Sequence, residues 1–171
     1  YAVQTGRIDS NTAADLQGAI ATRKHIHRPT LPLERLPELL RRIDEYKGMR
    51  VIQCALLFAL LTGARSSEFR FARWKEFDLD IAVWTIPPER EAVDGVKHSH
   101  RGEKMKSPRI IYLARQAVEL LRSIRPLTGN AEFVFEGVKR GTPISDGTPN
   151  KALRDMGFDT KAEQCLHGFR T

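Results

Sequence analysis

The stretch VIQCALLFALLTGARSSEFRFARW, residues 51–74, joins the longest apolar run of the chain to a sharp break in that run. Residues 51–61 are apolar except for Gln53, and they are too few to cross a bilayer, which takes about 20 apolar residues. We therefore predict a buried central helix over residues 51–61. Thr62 and Gly63 interrupt the run, and a second helix is expected to begin directly after them.

Further helices are predicted on both sides of the central helix. Apolar residues recur at three- and four-residue spacing in residues 34–46 and again in 117–124, as expected for helices with one buried face. These faces comprise Leu36, Leu39, Leu40 and Ile43 in the first helix, and Ala117, Leu120, Leu121 and Ile124 in the second. Shorter helices are predicted within residues 11–21 and 150–158.

Three short segments rich in β-branched and aromatic residues predict strands. They are FDL at residues 77–79, VWTI at 83–86 and RIIYL at 109–113, with Pro87 and Pro88 ending the second. Together they indicate a small antiparallel sheet. The predicted fold class is therefore mainly α with a small antiparallel β-sheet.

The sequence also indicates a domain boundary near residue 31. The stretch TRKHIHRPTLP, residues 22–32, is basic, contains two prolines and shows no periodicity, which is typical of a linker. Residues 1–30 are therefore expected to be the tail of a preceding domain with its linker, and residues 31–171 the main domain. The chain begins at Tyr1 without an apolar leader, so we expect it to be part of a longer protein.

Composition narrows the partners that the chain could have. Its 28 Lys and Arg residues outnumber 21 Asp and Glu residues, for a formal charge of +7. This balance suits a polyanion such as a nucleic acid, although many soluble basic proteins share it. The two cysteines, Cys54 and Cys165, provide neither a disulfide framework nor a cysteine-based metal motif. A reducing, cytoplasmic setting is expected.

The residues after the break, TGARSSE, place Arg65 and Glu68 in the first turns of the predicted second helix. A helix N-terminus presents unpaired N–H groups and a partial positive charge, and a guanidinium can bind two oxygens of one phosphate. Arg65 is thus a candidate phosphate ligand. The alternative is an ordinary surface ion pair between Arg65 and Glu68 at i,i+3 spacing.

Residues 89–108 form a polar connection that is rich in basic side chains. A lysine of such a loop could neutralise a phosphate or protonate an alkoxide leaving group, although most charged runs are simply solvated. The basic side chains are Arg90, Lys97, His98, His100, Arg101, Lys104 and Lys106. The two histidines have neither the spacing nor the neighbours of a metal site, and no metal is predicted.

The stretch HGFR near the end of the chain places His167 and Arg170 one helical turn apart. An imidazole and a guanidinium directed at one phosphate would combine a proton-transfer group with a charge clamp. The pattern H-x-x-R alone is common by chance. We also expect residues 164–171 to be poorly fixed, because a short helix at a chain end is marginally stable.

The order of these motifs resembles the catalytic domain of the tyrosine recombinases, in particular the phage-type integrases of genomic islands and prophages. LLTGARSSEFRFARW is similar to the box around the first catalytic arginine of that family. MKSPRIIYLARQAVELLRSIRPLTG resembles the strand and helix after its catalytic lysine, and LRDMGFDTKAEQCLHGFRT the approach to its H-x-x-R box. The resemblance covers essentially the whole chain.

This resemblance implies a role for each candidate residue. Arg65 and Arg170 would clamp the non-bridging oxygens of the scissile phosphate, and His167 would assist proton transfer or hold the phosphate. Lys104 would protonate the departing 5'-oxygen. Glu68 would support the site by orienting its neighbours. Family members require neither a metal nor another cofactor.

The resemblance also implies contacts to double-stranded DNA and a nucleophile. Lys97, Arg101 and Lys106 would contact DNA, and Lys106 also competes with Lys104 for the role of catalytic lysine. The nucleophilic tyrosine of the family follows its H-x-x-R box, and none of the chain's own tyrosines, Tyr1, Tyr46 and Tyr112, has that position. The main domain is therefore expected to be C-terminally incomplete, and this chain alone inactive.

The whole protein is expected to act as a tetramer on DNA attachment sites in the cytoplasm, and this chain alone as a monomer without membrane contact. One alternative is a non-catalytic DNA-binding module or a decayed integrase remnant. Another is a helical domain whose motifs coincide by chance, for which no DNA affinity is expected.

Overall fold

The computed structural model of the chain describes residues 1–11, 14–16, 27–103, 105 and 107–170. Helix α2, Arg50–Thr62, lies at the centre and contacts helix α1, Leu36–Asp44, helix α4, Arg115–Thr128, and helix α5, Thr148–Asp155. The short helix α3, Ser66–Arg70, follows α2 almost directly. The predicted central helix and its surrounding helices are thus confirmed.

Helix α2 is buried because its apolar residues cover most of its surface. Cys54, Ala55, Leu56 and Phe58 are fully buried. The helix ends at Gly63, whose φ of 57° lies in the left-handed region that favours glycine. This conformation turns the chain and brings the next residues back against the body of the protein.

Gln53 interrupts the apolar run for a structural reason. Its Nε2 donates hydrogen bonds to the carbonyl oxygens of Ile43, at 2.7 Å, and of Asp44, at 2.9 Å. These carbonyls belong to the last turn of α1, where helical partners are lacking. The buried amide therefore satisfies the end of one helix from the middle of another.

The sheet consists of β1, Phe77–Asp78, β2, Val83–Ile86, and β3, Arg109–Tyr112, in the order β1-β2-β3. Both pairings are antiparallel, with Phe77 opposite Trp84 and Trp84 opposite Ile111. The Phe77 and Trp84 rings stack at 5.2 Å, and Phe58 of α2 lies 5.3 Å from Trp84. These aromatic contacts join the sheet to the central helix and confirm the predicted fold class.

The amphipathic helices are placed as the periodicity predicts, with one exception. Leu39 and Ile43 of α1 and Leu121 and Ile124 of α4 are buried against the core. Leu40, which the spacing assigned to the same face of α1, is 40% exposed. The reason is that Leu40 lies at the border of the buried stripe, where the neighbouring elements no longer cover the helix.

Short 3₁₀ turns connect the main elements at Leu33–Arg35 and Trp74–Glu76. Of the helix predicted within residues 11–21, the structure describes a 3₁₀ turn at Ala14–Leu16, and residues 12–13 and 17–21 lie outside the described part. Within the described residues, no helix combines the length and apolarity needed to cross a bilayer. The assignment of residues 1–30 to a preceding domain stays a prediction.

Candidate active site

Arg65 lies at the N-cap of α3, and its main partner is Glu68. The backbone N–H of Arg65 donates to Oε2 of Glu68 at 2.8 Å, and Nη1 donates to Oε1 at 2.5 Å. The i,i+3 ion pair of the alternative interpretation therefore exists. It differs from an ordinary surface pair because Glu68 is fully buried, whereas the Arg65 side chain is 34% exposed. The buried Glu68 carboxylate therefore fixes both the backbone and the guanidinium of Arg65.

Two further charged residues join this pair. Nη1 of Arg65 also donates to Oε1 of Glu103 at 3.1 Å, and Nη1 of Arg109 lies 3.3 Å from Oε2 of Glu68. The hydrogen bond to Glu68, and then that to Glu103, raises the pKa of the Arg65 guanidinium. The Met105 N–H, followed by Arg65, lowers the pKa of the Glu103 carboxyl. Both shifts favour the charged forms of Arg65 and Glu103.

His167 and Arg170 lie on a 3₁₀ turn, Leu166–Arg170, which we call the H-x-x-R turn. Residues three apart nearly eclipse in a 3₁₀ turn, so both exposed side chains project from the same side. The N–H of Leu166 donates to Oδ1 of Asn150 at 2.8 Å, which fixes the start of the turn.

The expectation that the last residues are poorly fixed was wrong for residues 164–170. Thr30 donates to the carbonyl of Gly168 at 3.0 Å, and the Leu31 N–H donates to Oε1 of Gln164 at 2.8 Å. Leu166 and Gly168 are buried. Contacts from distant residues therefore replace the stability that a short helix lacks by itself. Thr171 lies outside the described residues.

The H-x-x-R turn forms one wall of a cleft of about 560 Å³, which we call the basic cleft. Besides the carboxylate of Asp146, four basic side chains line it, together with residues on either side of Arg65. These residues are His167, Arg170, Arg28 and Lys161, with Ala64 and Ser66. The structure therefore brings His167 and Arg170 to the segment that contains Arg65.

The Arg65 side chain itself lines an adjoining cleft of about 420 Å³. Its other lining residues include Arg101 and Glu103. Ala64 and Ser66 line the basic cleft, whereas Arg65 and Ser67 line the adjoining cleft. Residues 64–67 therefore form a ridge between the two clefts. Arg65 thus faces the loop at 100–103, and His167 and Arg170 lie on the other side of the ridge.

Backbone hydrogen bonds hold residues 89–103 of the polar connection, unlike a simply solvated loop. It doubles back on itself, with the Arg90 N–H donating to the His100 carbonyl at 2.8 Å and the Glu103 N–H to the Pro87 carbonyl at 2.9 Å. Lys97 and Arg101 are exposed, and their contact with DNA stays a prediction. Lys104 and Lys106, the two candidates for the catalytic lysine, lie outside the described residues.

Arg90 does not belong to the exposed basic surface that was predicted for this connection. Its side chain is 1% exposed and binds Glu76 through two hydrogen bonds, of 2.7 Å and 2.8 Å. It also donates to the carbonyls of Glu68, at 3.2 Å, and Arg101, at 2.6 Å. Arg90 therefore connects the backbone of Glu68, the buried partner of Arg65, to the backbone of Arg101 in the loop.

Several residues of the site were missed by sequence reasoning. Glu103 and Arg109 lie far in sequence from Arg65 and Glu68, which they contact, and Arg28 lies far from His167 and Arg170. Lys161 is closer to His167 in sequence, but no periodicity relates the two. A weak signal exists only for Glu103, which directly precedes Lys104. Their positions follow from the tertiary packing of the loop, of the third strand, and of the residues before α1 and after α5.

Comparison with known proteins identifies the class of this fold and site. Residues 30–171 match the phage integrase family. The match covers most of the chain, including both arginines, the histidine and the basic connection. The chain therefore belongs to the phage integrase family.

Two relatives are similar over the full length of the chain. It is 49% identical to the putative protein IntB of Escherichia coli strain K12 and 49% identical to the integrase of Enterobacteria phage P4, over 172 residues in each case. These alignments cover 100% of this chain but 43% and 39% of the two relatives. The chain thus spans about two fifths of their length.

Solved structures share the fold at low sequence identity. The integrase of the Tn1549 transposon has a TM-score of 0.72 at 16% identity, and its match covers 99% of this chain and 59% of that chain. The lambda integrase has a TM-score of 0.59 at 17% identity, with 99% of this chain and 45% of that chain covered. These comparisons support the fold class.

Proposed function

We propose that this chain supplies the phosphate-binding part of a site-specific tyrosine recombinase, which cuts and rejoins double-stranded DNA through a 3'-phosphotyrosyl intermediate. The observation that carries the proposal is the basic cleft, where His167 and Arg170 lie beside the ridge that bears Arg65. Membership of the phage integrase family supports it. The activity belongs to the whole protein, of which this chain is one region.

Arg170 and Arg65 would bind a scissile phosphate that lies over the ridge, each from its own side of it. Charge on the phosphoryl oxygens grows in the transition state, and fixed cations stabilise that charge. Among the described residues, the carboxylates of Glu68 and Glu103 both contact Nη1 of Arg65. A guanidinium has five N–H donors, so those on Nε and Nη2 can serve a phosphate. Glu68 would act by orienting Arg65.

His167 would exchange a proton with the attacking tyrosine or donate to a phosphate oxygen. Its exposed position on the H-x-x-R turn gives it access to a phosphate at the ridge beside the basic cleft. An imidazole is suited to both tasks, because it changes charge near neutral pH. The nucleophile would come from another part of the protein, since Tyr1 and Tyr112 are each 81% exposed away from both clefts and Tyr46 follows α1.

Duplex DNA would lie across the ridge and contact basic residues on both of its sides. Arg28 and Lys161 line the basic cleft, and Lys97 and Arg101 are exposed on the loop at the other side. The lambda integrase has been solved as a dimer bound to a COC' core site and as a tetramer bound to a Holliday junction. We propose that the whole protein likewise forms a tetramer on attachment sites, and that this chain alone is a monomer.

Covalent capture of DNA tests the proposal. The test protein is a hybrid integrase, in which this chain replaces the matching 39% of the phage P4 integrase. With a nicked duplex that carries a phage attachment site, the hybrid should form a covalent adduct visible on a denaturing gel. The 171-residue chain alone should form none, because none of its tyrosines lines either cleft.

Two outcomes would count against this proposal. An adduct formed by the chain alone would show that one of its own tyrosines attacks DNA. A hybrid that shifts the duplex in a native gel but never cleaves it would favour the non-catalytic DNA-binding module. The unmodified phage P4 integrase is the positive control for substrate quality.

The catalytic lysine can be assigned in the same hybrid. Replacing Lys104 with alanine should slow cleavage about 100- to 10,000-fold, because an unprotonated 5'-alkoxide is a poor leaving group. Lys106→Ala should retain cleavage and mainly weaken DNA binding at higher salt. Single-turnover rates on the nicked duplex measure both effects.

A substrate with sulfur at the 5'-bridging position provides the control. A thiolate leaves without prior protonation, so this substrate should restore cleavage by the Lys104→Ala variant. Loss of cleavage with Lys106→Ala but not with Lys104→Ala would transfer the role to Lys106.

A further inference from the structure

We propose that Pro29, Thr30 and Leu31 form a strap that positions the H-x-x-R turn, so that the chain entering the domain sets the geometry of His167 and Arg170. Thr30 and Gln164 act as positioning residues in this arrangement. The inference rests on the proposed function for its catalytic consequence. Its structural part stands on contacts that can be measured without DNA.

Three consecutive strap residues bind the turn and the residues just before it. The Cys165 N–H donates to the Pro29 carbonyl at 3.2 Å, and Oγ1 of Thr30 donates to the Gly168 carbonyl at 3.0 Å. The Leu31 N–H donates to Oε1 of Gln164 at 2.8 Å. These bonds join residues separated by up to 138 positions. They lie on both sides of His167 in the sequence.

Gln164 is the buried link between the strap and the turn. Its side chain is almost fully buried, and while Oε1 accepts from Leu31, Nε2 donates to the Cys165 carbonyl at 2.8 Å. Both ends of the amide are therefore used. Loss of a partner would leave a buried polar group unsatisfied, which is unfavourable.

Gly168 shows how closely the strap approaches. A Cβ atom at this position would collide with the carbonyl oxygen of Pro29. The residue directly after His167 is therefore glycine because the strap passes directly over it. A larger side chain would push the strap and the turn apart.

The turn needs such support because it is too short to fix itself. A single 3₁₀ turn has few internal hydrogen bonds, and isolated short helices are marginal in water. The strap supplies the missing constraints, and Arg28 directly before it lines the same basic cleft as His167 and Arg170. Movement of the strap would thus change the phosphate-binding groups together.

Thr30 offers a clean test because it is exposed and its replacement leaves the core intact. Thr30→Val keeps the shape of the side chain but removes the donor to Gly168, whereas Thr30→Ser keeps the donor. In the 171-residue chain, Thr30→Val should shift the NMR resonances of the His167 ring and the Arg170 Nε–H group. Thr30→Ser should leave both near their original positions. Urea unfolding confirms that both variants fold.

In the hybrid integrase, Thr30→Val should lower the single-turnover cleavage rate about 10- to 100-fold, because small displacements of catalytic groups are costly. The Kd for the same duplex should change less than about twofold, because the strap orients groups for chemistry rather than for affinity. Thr30→Ser should restore the rate.

Several results would contradict the proposal that the strap positions the H-x-x-R turn. One is unchanged His167 and Arg170 resonances in Thr30→Val, and another is an equal loss of rate in Thr30→Val and Thr30→Ser. A Kd that rises in parallel with the loss of rate would indicate a binding role instead. If the hybrid with native Thr30 fails to cleave, the proposed function fails, while the NMR comparison still decides whether the strap positions the turn.

Discussion

In the hybrid integrase, replacing Arg170 with alanine should slow cleavage of the nicked duplex about 100- to 1,000-fold, the usual effect of removing one fixed donor to a developing anion. The expected cause is that Arg170 is exposed in the basic cleft and projects from the same side of its turn as His167. Single-turnover kinetics at saturating enzyme separate this effect from a change in DNA affinity.

Two variants sharpen the interpretation of Arg170→Ala. Arg170→Lys keeps the charge but loses the planar pair of donors, so it should recover only part of the rate. Arg140→Ala makes the same change of charge at an exposed arginine that lines neither cleft, and it should cleave normally. Equal rates for Arg170→Ala and Arg140→Ala would remove Arg170 from the site.

Replacing Arg90 with methionine should lower the free energy of unfolding by about 3 to 5 kcal/mol, the cost of leaving one member of a buried ion pair without its partner. Glu76 is 4% exposed at its side chain, and Arg90 provides two of its hydrogen bonds. After the change, the Trp84 Nε1–H remains as a neutral partner at 3.1 Å. Urea unfolding monitored by tryptophan fluorescence measures the loss.

A double variant tests whether the buried pair is the cause. Combining Arg90→Met with Glu76→Leu removes both charges, and apolar replacements of a buried ion pair are often neutral or stabilising. The double variant should therefore be more stable than Arg90→Met alone. Lys97→Met, at an exposed cation of the same connection, should change the stability by less than about 0.5 kcal/mol. A loss below about 1 kcal/mol for Arg90→Met would contradict the prediction, because it would equal an ordinary hydrogen bond.

Local patterns predicted the secondary structure well, because burial imposes a period on each element. The apolar run at 51–61 and the glycine after it indicated a helix and its end, and the β-branched segments indicated the strands. Leu40 was assigned to a buried face and is exposed, because periodicity identifies a stripe but not its width. The candidate site depended on the order of the motifs, since neither TGARSSE nor HGFR is distinctive alone.

The sequence by itself determined the fold class, the family and the candidates Arg65, Glu68, His167 and Arg170, because these depend on short-range spacing and on motif order. Only the tertiary structure decided how the charges are used. In the tertiary structure, Arg90 is buried against Glu76 and Glu103 accepts a hydrogen bond from Arg65. Thr30 donates a hydrogen bond to the Gly168 carbonyl, 138 positions away. Such pairings join segments far apart in the chain, and packing of the helices around α2 selects them. No local pattern encodes which distant carboxylate or carbonyl a side chain will meet.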